Sequence, residues 1–235
     1  MGTADEGREH SPADTVLFDV DGTLVDSTYH HAVAWHRAFR GLGVDVPIWQ
    51  VHRAIGMGGD RLVAQVAGEG VEERLGDALR EAWRREYEPL RDEIAPLPQA
   101  HELLELLKGQ GFRLALASSG KPDHTEQAVE LLAARALLDA VTTSEDAEES
   151  KPEPDILRTA LEAAGGSRAV VVGDSPYDVQ AAARLGAPCI AVRTGGFGAD
   201  ELTGAGAVLV VESVADLLHA DWSALAVAAP PPPDA

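Results

Sequence analysis

Two aspartates one residue apart, Asp19 and Asp21, follow the β-branched and apolar run from Thr15 to Phe18 and precede Gly22. Such a run reads as a buried strand. Strand alternation sets both aspartates on one side and turns Val20 into the core. In an open α/β sheet, ligands sit at the carboxyl ends of strands. Two carboxylates there repel each other and lose hydration, so a cation should offset them. A hard ion such as Mg2+ takes oxygen ligands and keeps positions open for phosphate oxygens. The plainer alternative is that Asp-x-Asp-Gly is a turn. An EF-hand loop is disfavoured, because Leu24 and Val25 fall where it wants ligands and no glutamate closes it.

Further polar residues recur where strands should end. The run 112–117 delivers Ser118, Ser119 and Gly120. A hydroxyl and free backbone N–H groups at a strand-to-helix turn suit phosphate oxygens, although a loop serine reads the same way. Lys151 follows the acidic residues Glu145, Asp146, Glu148 and Glu149 and precedes Pro152. It is either a solvated lysine or a placed cation. The run 169–172 ends in Gly173-Asp174-Ser175-Pro176-Tyr177-Asp178, so Asp174 leaves its strand tip as Asp19 does. Ser175 reads as an N-cap with Pro176 at the first helical position. Asp178 then suits the first turn of the helix, a role compatible with a place beside a metal.

The elements that must hold these residues come in two kinds. After a flexible leader at 1–13 and the strand at about 15–20, Asp26-Ser27 reads as a cap for a helix over 28–40. Shorter helices follow around Pro47 and after Asp60, and a longer one over 71–88, with Pro89 ending or kinking it. No strand is predicted between 27 and 95. From Pro96 on, helix and strand alternate: strands at 112–117, 140–142, 169–172, 188–192 and 207–211, with helices between and one from Val214. Near-continuous apolar strands in that alternation predict a parallel sheet covered on both faces. The expected fold is α/β, a Rossmann-like doubly wound core at 14–26 and 96–222. A small all-helical cap domain at 27–95 is inserted after the first strand. Hinges are expected near Asp26-Ser27 and Ala95–Pro98. The Pro-rich stretch 226–235 reads as a disordered tail.

Composition narrows the partners. A formal charge of −20 over 235 residues argues against nucleic acid and anionic membranes. It also means that an anionic substrate must be caught by local charge. The single cysteine, Cys189, sits in an apolar run and reads as a buried strand residue, which excludes a disulfide framework and fits a reducing cytosol. No apolar run approaches a membrane span.

In this order the motifs resemble those of the haloacid dehalogenase superfamily, in the branch with a helical cap after the first strand. The four are Phe18-Asp19-Val20-Asp21-Gly22-Thr23-Leu24, Leu116-Ala117-Ser118-Ser119, Ser150-Lys151-Pro152-Glu153-Pro154-Asp155 and Val172-Gly173-Asp174-Ser175-Pro176-Tyr177-Asp178. The resemblance implies Asp19 as a nucleophile forming an aspartyl phosphate and Asp21 as general acid and base. It implies Mg2+ on Asp19, the Asp21 main-chain carbonyl and Asp174. Ser118, the Ser119 amide and Lys151 would hold phosphoryl oxygens, with Asp178 in support.

Within the family, Asp21 weighs against hydrolytic dehalogenation. Tyr29 to Trp35 looks like the cap-helix start of β-phosphoglucomutase-like mutases, where a histidine at the position of His31 meets the acid/base aspartate. Packing of His31 with Trp35 on one helix face explains the same spacing. The mutases' cap-loop cations are missing from Ile55-Gly56-Met57-Gly58-Gly59. The expectation is therefore a phosphatase of small phosphomonoesters, of the phosphoglycolate or sugar-phosphate kind. The β-phosphoglucomutase-like reading stands as the alternative, and a non-catalytic phosphate-binding protein behind it. Arg53, Asp60 and Arg61 lie near the cap loop and read as surface residues or substrate readers. The partner is a small phosphorylated metabolite, and the state a monomer or weak homodimer.

Overall fold

Residues 12–229 are described in the computed structural model. β1 (Thr15–Phe18), β2 (Arg113–Ala117), β3 (Ala140–Thr142), β4 (Ala169–Gly173), β5 (Cys189–Val192) and β6 (Leu209–Val211) form one sheet in the order β3-β2-β1-β4-β5-β6. All pairs are parallel, with Phe18 level with Leu116 on one side and Val172 on the other. Burial on both faces explains the unbroken apolar strands, since Val170, Val171 and Val172 are each fully buried. Removing each such side chain from water contributes about 1.5–3 kcal/mol.

The two faces are covered by different helices. Val16, Phe18, Val170 and Val172 pack with Leu103, Leu104 and Leu107 of α5 (Ala100–Gly109). Leu17, Val171 and Cys189 pack with Ile156 and Leu157 of α7 (Asp155–Ala163) and Val179 of α8 (Pro176–Leu185). α6 (Pro122–Leu131) follows β2. Cys189 is buried within β5, as its apolar neighbours imply.

Between β1 and α5 lie only helices: α1 (Thr28–Gly41), α2 (Ile48–Arg53), α3 (Gly59–Ala67), α4 (Glu69–Tyr87) and a 3-10 stretch over Glu88–Glu93 that contains Pro89. They build a separate core from Trp35, Phe39, Val51, Leu62, Val63 and Leu79. The two chain crossings lie side by side, with the Asp26 N–H donating to the Ala95 carbonyl at 2.9 Å.

Some local expectations are corrected. Ser27 occupies the N-cap position of α1 but makes no capping bond, because its hydroxyl donates to Asp21 instead. α3 is preceded by Gly58, and Asp60 lies inside its first turn. The helix at 199–204, α9 (Ala199–Gly204), was not foreseen, and Val214–His219 is 3-10. Ala226 closes a short helix, α10 (Trp222–Ala226), rather than opening the tail. Residues 1–11 of the leader and 230–235 of the tail lie outside the described residues. Among the described residues no helix is long and apolar enough to cross a membrane.

At the base of β1, Asp14 ties the strand to the turn before β4. Its carboxylate accepts from the Ser167 N–H at 3.0 Å, the Ser167 hydroxyl at 2.9 Å and the Arg168 N–H at 3.3 Å. Partial burial works to raise its pKa, but these hydrogen bonds win and bring it to about 2. The folded value lies below the unfolded one of about 4, so the stabilisation is present above pH ~4 and is lost as pH falls toward 2. Asp14→Asn should therefore melt below the wild type near neutrality, with the gap closing between pH ~4 and 2. Paired thermal melts across that range would show a constant gap if the ionised carboxylate were unimportant.

Candidate active site

Parallel register brings the tips of β1 and β4 together, so Asp19 and Asp174 emerge side by side. Lys151, on the segment between β3 and α7, reaches under them. Its ammonium lies 2.5 Å from Asp19 Oδ1 and 2.7 Å from Asp178 Oδ1, and its side chain is fully buried. Ser175 caps α8: its hydroxyl accepts from the Asp178 N–H, while Asp178 Oδ2 accepts from the Ser175 N–H at 3.1 Å. Asp178 thus holds the helix terminus with one oxygen and the lysine with the other. The capping role and the site role expected for it coexist.

Carboxylates outnumber cations here. One oxygen from each of Asp19, Asp174 and Asp178 lies within 4.8 Å of the others, and all three residues are buried. Burial pushes Asp19 up to about 7 against the pull of Lys151. Asp174 is raised well above the ordinary carboxylate range by burial and by the charge of Asp19. Burial would lower Lys151, but Asp178 and Asp19 outweigh it and hold the ammonium charged. Among the described residues, Asp174 has one side-chain hydrogen-bond partner, the Thr28 hydroxyl at 3.4 Å. Gly22 and Gly195 press against it so closely that a Cβ at either position would strike Asp174 Oδ2. Three acidic groups facing one ammonium, in a cradle of bare backbone, fit a hard divalent cation.

Asp21 is oriented away from this cluster. Its Oδ1 accepts from the Ser27 hydroxyl at 2.5 Å and lies 3.0 Å from His31 Nε2. Burial would raise Asp21, but His31 and Ser27 bring it down to about 2. The His31 ring stacks on Tyr87, with centroids 4.2 Å apart, and near Trp83 at 5.6 Å. His31 thus meets Asp21, and it also shares a packed helix face with Trp35, since both rings stack on Trp83.

Ser118 is buried, and its hydroxyl accepts from the Gly120 N–H at 3.0 Å. Ser119 lines the cavity, and its buried hydroxyl has no partner among the described residues.

A cavity of about 310 Å³ opens on Asp19 and Asp21 and is roofed by the cap. Sequence reasoning missed most of its wall. Trp83 and Arg80 come from α4; the apolar spacing of Val71, Leu75, Leu79 and Trp83 marks a buried face without saying against what, and Arg80 carries no such mark. Lys121 and Ser144 come from core loops. Cap and core meet around the cavity: the Ser150 hydroxyl donates to Asp60 at 2.7 Å and Arg61 donates to Glu149 at 2.5 Å. Arg53 pairs with Glu201 and lies over the Phe197 ring at 4.4 Å. Arg53, Asp60 and Arg61 are therefore inter-layer contacts rather than free surface groups.

Parallel strands with acidic tips, wound on both sides by helices and covered by a helical insert, define the class of enzyme. The family model for haloacid dehalogenase-like hydrolases matches residues 16–192, and the chain belongs to that family. It is 33% identical over 186 residues to validoxylamine A 7'-phosphate phosphatase of Streptomyces hygroscopicus subsp. limoneus, covering 76% of this chain and 84% of the relative. It is 29% identical over 177 residues to a phosphoglycolate phosphatase of Aquifex aeolicus, covering 73% and 80%. The crystal structure of a hydrolase from Pseudomonas syringae superposes with a TM-score of 0.82 at 32% identity, covering 87% of this chain and 95% of that one. These relatives bear out an enzyme of the phosphatase kind.

Proposed function

We propose that the protein is a Mg2+-dependent phosphatase of small phosphomonoesters, acting through an aspartyl phosphate on Asp19. The observation that carries this reading is the setting of Asp19. One oxygen is anchored on buried Lys151, and the residue faces the cavity beside Asp174. Asp19, Asp174 and the Asp21 main-chain carbonyl would hold Mg2+. Bound there, the ion neutralises carboxylate charge and polarises a phosphoryl oxygen.

The chain's own groups supply the remainder. Asp19 attacks phosphorus with the oxygen not held by Lys151, and the ester oxygen leaves on the opposite side. Lys151 shares its charge with the transferring phosphoryl group, and the Ser118 hydroxyl, whose oxygen accepts from Gly120, donates to its oxygens together with the Ser119 amide. Ser118 fixes the turn through Gly120. Asp21 Oδ1 is engaged by Ser27 and His31, which leaves Oδ2 to give a proton to the departing alkoxide and later to take one from water. In the resting protein His31 holds Asp21 ionised. Protonation of Asp21 must therefore accompany the arrival of phosphate charge. A β-phosphoglucomutase-like activity is the second reading, favoured by the His31–Asp21 contact. It is weakened by the absence of a cation from Ile55–Gly59. The single buried thiol suits a cytoplasmic setting, and the charge of −20 suits a small metabolite rather than nucleic acid.

Phosphate release from an aryl phosphate should depend on added Mg2+, vanish with EDTA and return when Mg2+ is restored. Undiminished release after exhaustive chelation would remove the metal from this reading.

A further inference from the structure

The wall of the cavity speaks to the leaving group, given the phosphatase reading just made. Its volume of about 310 Å³ holds roughly ten groups the size of water, at about 30 Å³ each in the liquid. A two-carbon acid ester would leave much of that space to solvent. A hydroxylated six-membered ring with its phosphoryl group would fill it.

Part of the wall is apolar and aromatic, with Trp35, Trp83 and Leu62 facing the space. Flat apolar faces of that kind suit the C–H side of a saturated ring. Beyond Asp19 and Asp21 the charged part holds Arg80, Arg84 and Lys121 with Asp60 and Glu148, and each of the three cations already faces a carboxylate. Arg80 is already clasped, by Glu72 at 2.9 and 3.2 Å and by Asp77 at 2.9 Å, and also donates to the Gly59 carbonyl at 3.1 Å. The other two cations that line the space also face carboxylates, Arg84 with Glu81 at 3.1 Å and Lys121 with Glu145 at 3.8 Å. Against them stand Asp60 and Glu148, which accept hydrogen bonds and repel anions. A substrate carboxylate or second phosphate would meet this wall, and the overall charge of −20, without a cation that does not already face a carboxylate.

We infer that the leaving group is an uncharged, polyhydroxylated ring, and that the substrate is a sugar or cyclitol monophosphate rather than phosphoglycolate or a bisphosphate. Ring hydroxyls donate to Asp60 and Glu148, and the ring face lies on Trp83.

Four substrate types, assayed with Mg2+ at one ionic strength, test this: an aryl phosphate, a set of hexose and cyclitol monophosphates, 2-phosphoglycolate and a hexose bisphosphate. The best ring monophosphate should exceed both 2-phosphoglycolate and the bisphosphate at least tenfold in kcat/KM. If either anionic compound equals or exceeds every ring monophosphate, the inference is overturned. The aryl phosphate keeps the two claims apart, because its hydrolysis reports the phosphatase reading whatever the leaving-group preference. Glu148→Arg supplies a second measure. It should narrow the ratio of ring monophosphate to 2-phosphoglycolate at least tenfold, and an unchanged ratio would show that this wall does not read the leaving group. Thermal shifts of Asp19→Asn with the same compounds should rank them alike without turnover, and a preference there for 2-phosphoglycolate would count against the assignment.

Discussion

Asp19→Asn is expected to lower phosphate release from an aryl phosphate by roughly 10⁴-fold or more while the fold survives. The amide keeps the shape of the side chain but loses the nucleophilic oxygen. Lys151 retains Asp178 as its partner at 2.7 Å, so the buried ammonium is not stranded. Stability also discriminates. In the wild type, burial holds Asp19 at about 7, above its unfolded value near 4. A raised acid contributes stability at low pH, where it is protonated, and loses it as pH rises from ~4 through ~7. Without Mg2+, the variant should therefore gain on the wild type in melting temperature across that interval. A variant that kept a sizeable fraction of the wild-type rate would remove Asp19 from the chemistry. A melting difference independent of pH would mean that its ionisation is not what strains the metal-free site.

Lys151→Met should fail differently, losing both activity and stability. The thioether occupies similar space but leaves Asp19 and Asp178 buried without a counter-charge. Breaking a buried pair by removing one partner costs about 3–5 kcal/mol. The loss should deepen with pH, because the carboxylates left behind can be neutralised by protons at pH ~5 and hardly at pH ~8. Phosphate release should fall about 10²–10³-fold, the scale for one donor to a developing charge, and further where Asp19 is displaced. Urea melts at the two pH values, with and without Mg2+, test this. A stability unchanged at both would show that the ammonium does not hold the carboxylates together.

The core of this arrangement was legible because the signals are short in sequence. An apolar strand followed by a carboxylate needs no knowledge of what packs elsewhere, and Asp19, Asp174 and the Ser175–Asp178 capping box all belong to that kind. What escaped depends on distance. Ser27 has the chemistry of an N-cap, yet its hydroxyl serves Asp21, because the chain folds back beneath His31. Trp83 sits on the apolar stripe of the 71–88 helix, which announces burial, while Arg80 lies off it, and only the packing of α4 beside α1 makes both a cavity wall. α9 follows Gly195, Gly196 and Gly198 and is too short to show a period, so nothing local marked it. His124, whose ring lies tilted against Tyr87 at 4.9 Å, carried no signal beyond its own polarity.

The segment from Ser144 to Ser150 supplies part of the cavity wall and ends on Lys151. In a lineage of such proteins, insertions or deletions within that segment would tug on the ammonium at its end, so changed preference would arrive together with slower turnover. α4 has no such link to Lys151, and its residues other than Trp83 and Tyr87, which pack on His31, are free to diverge without detuning the charge balance below. Successful descendants with new diets should thus differ mainly in the roof, while the floor stays as inherited.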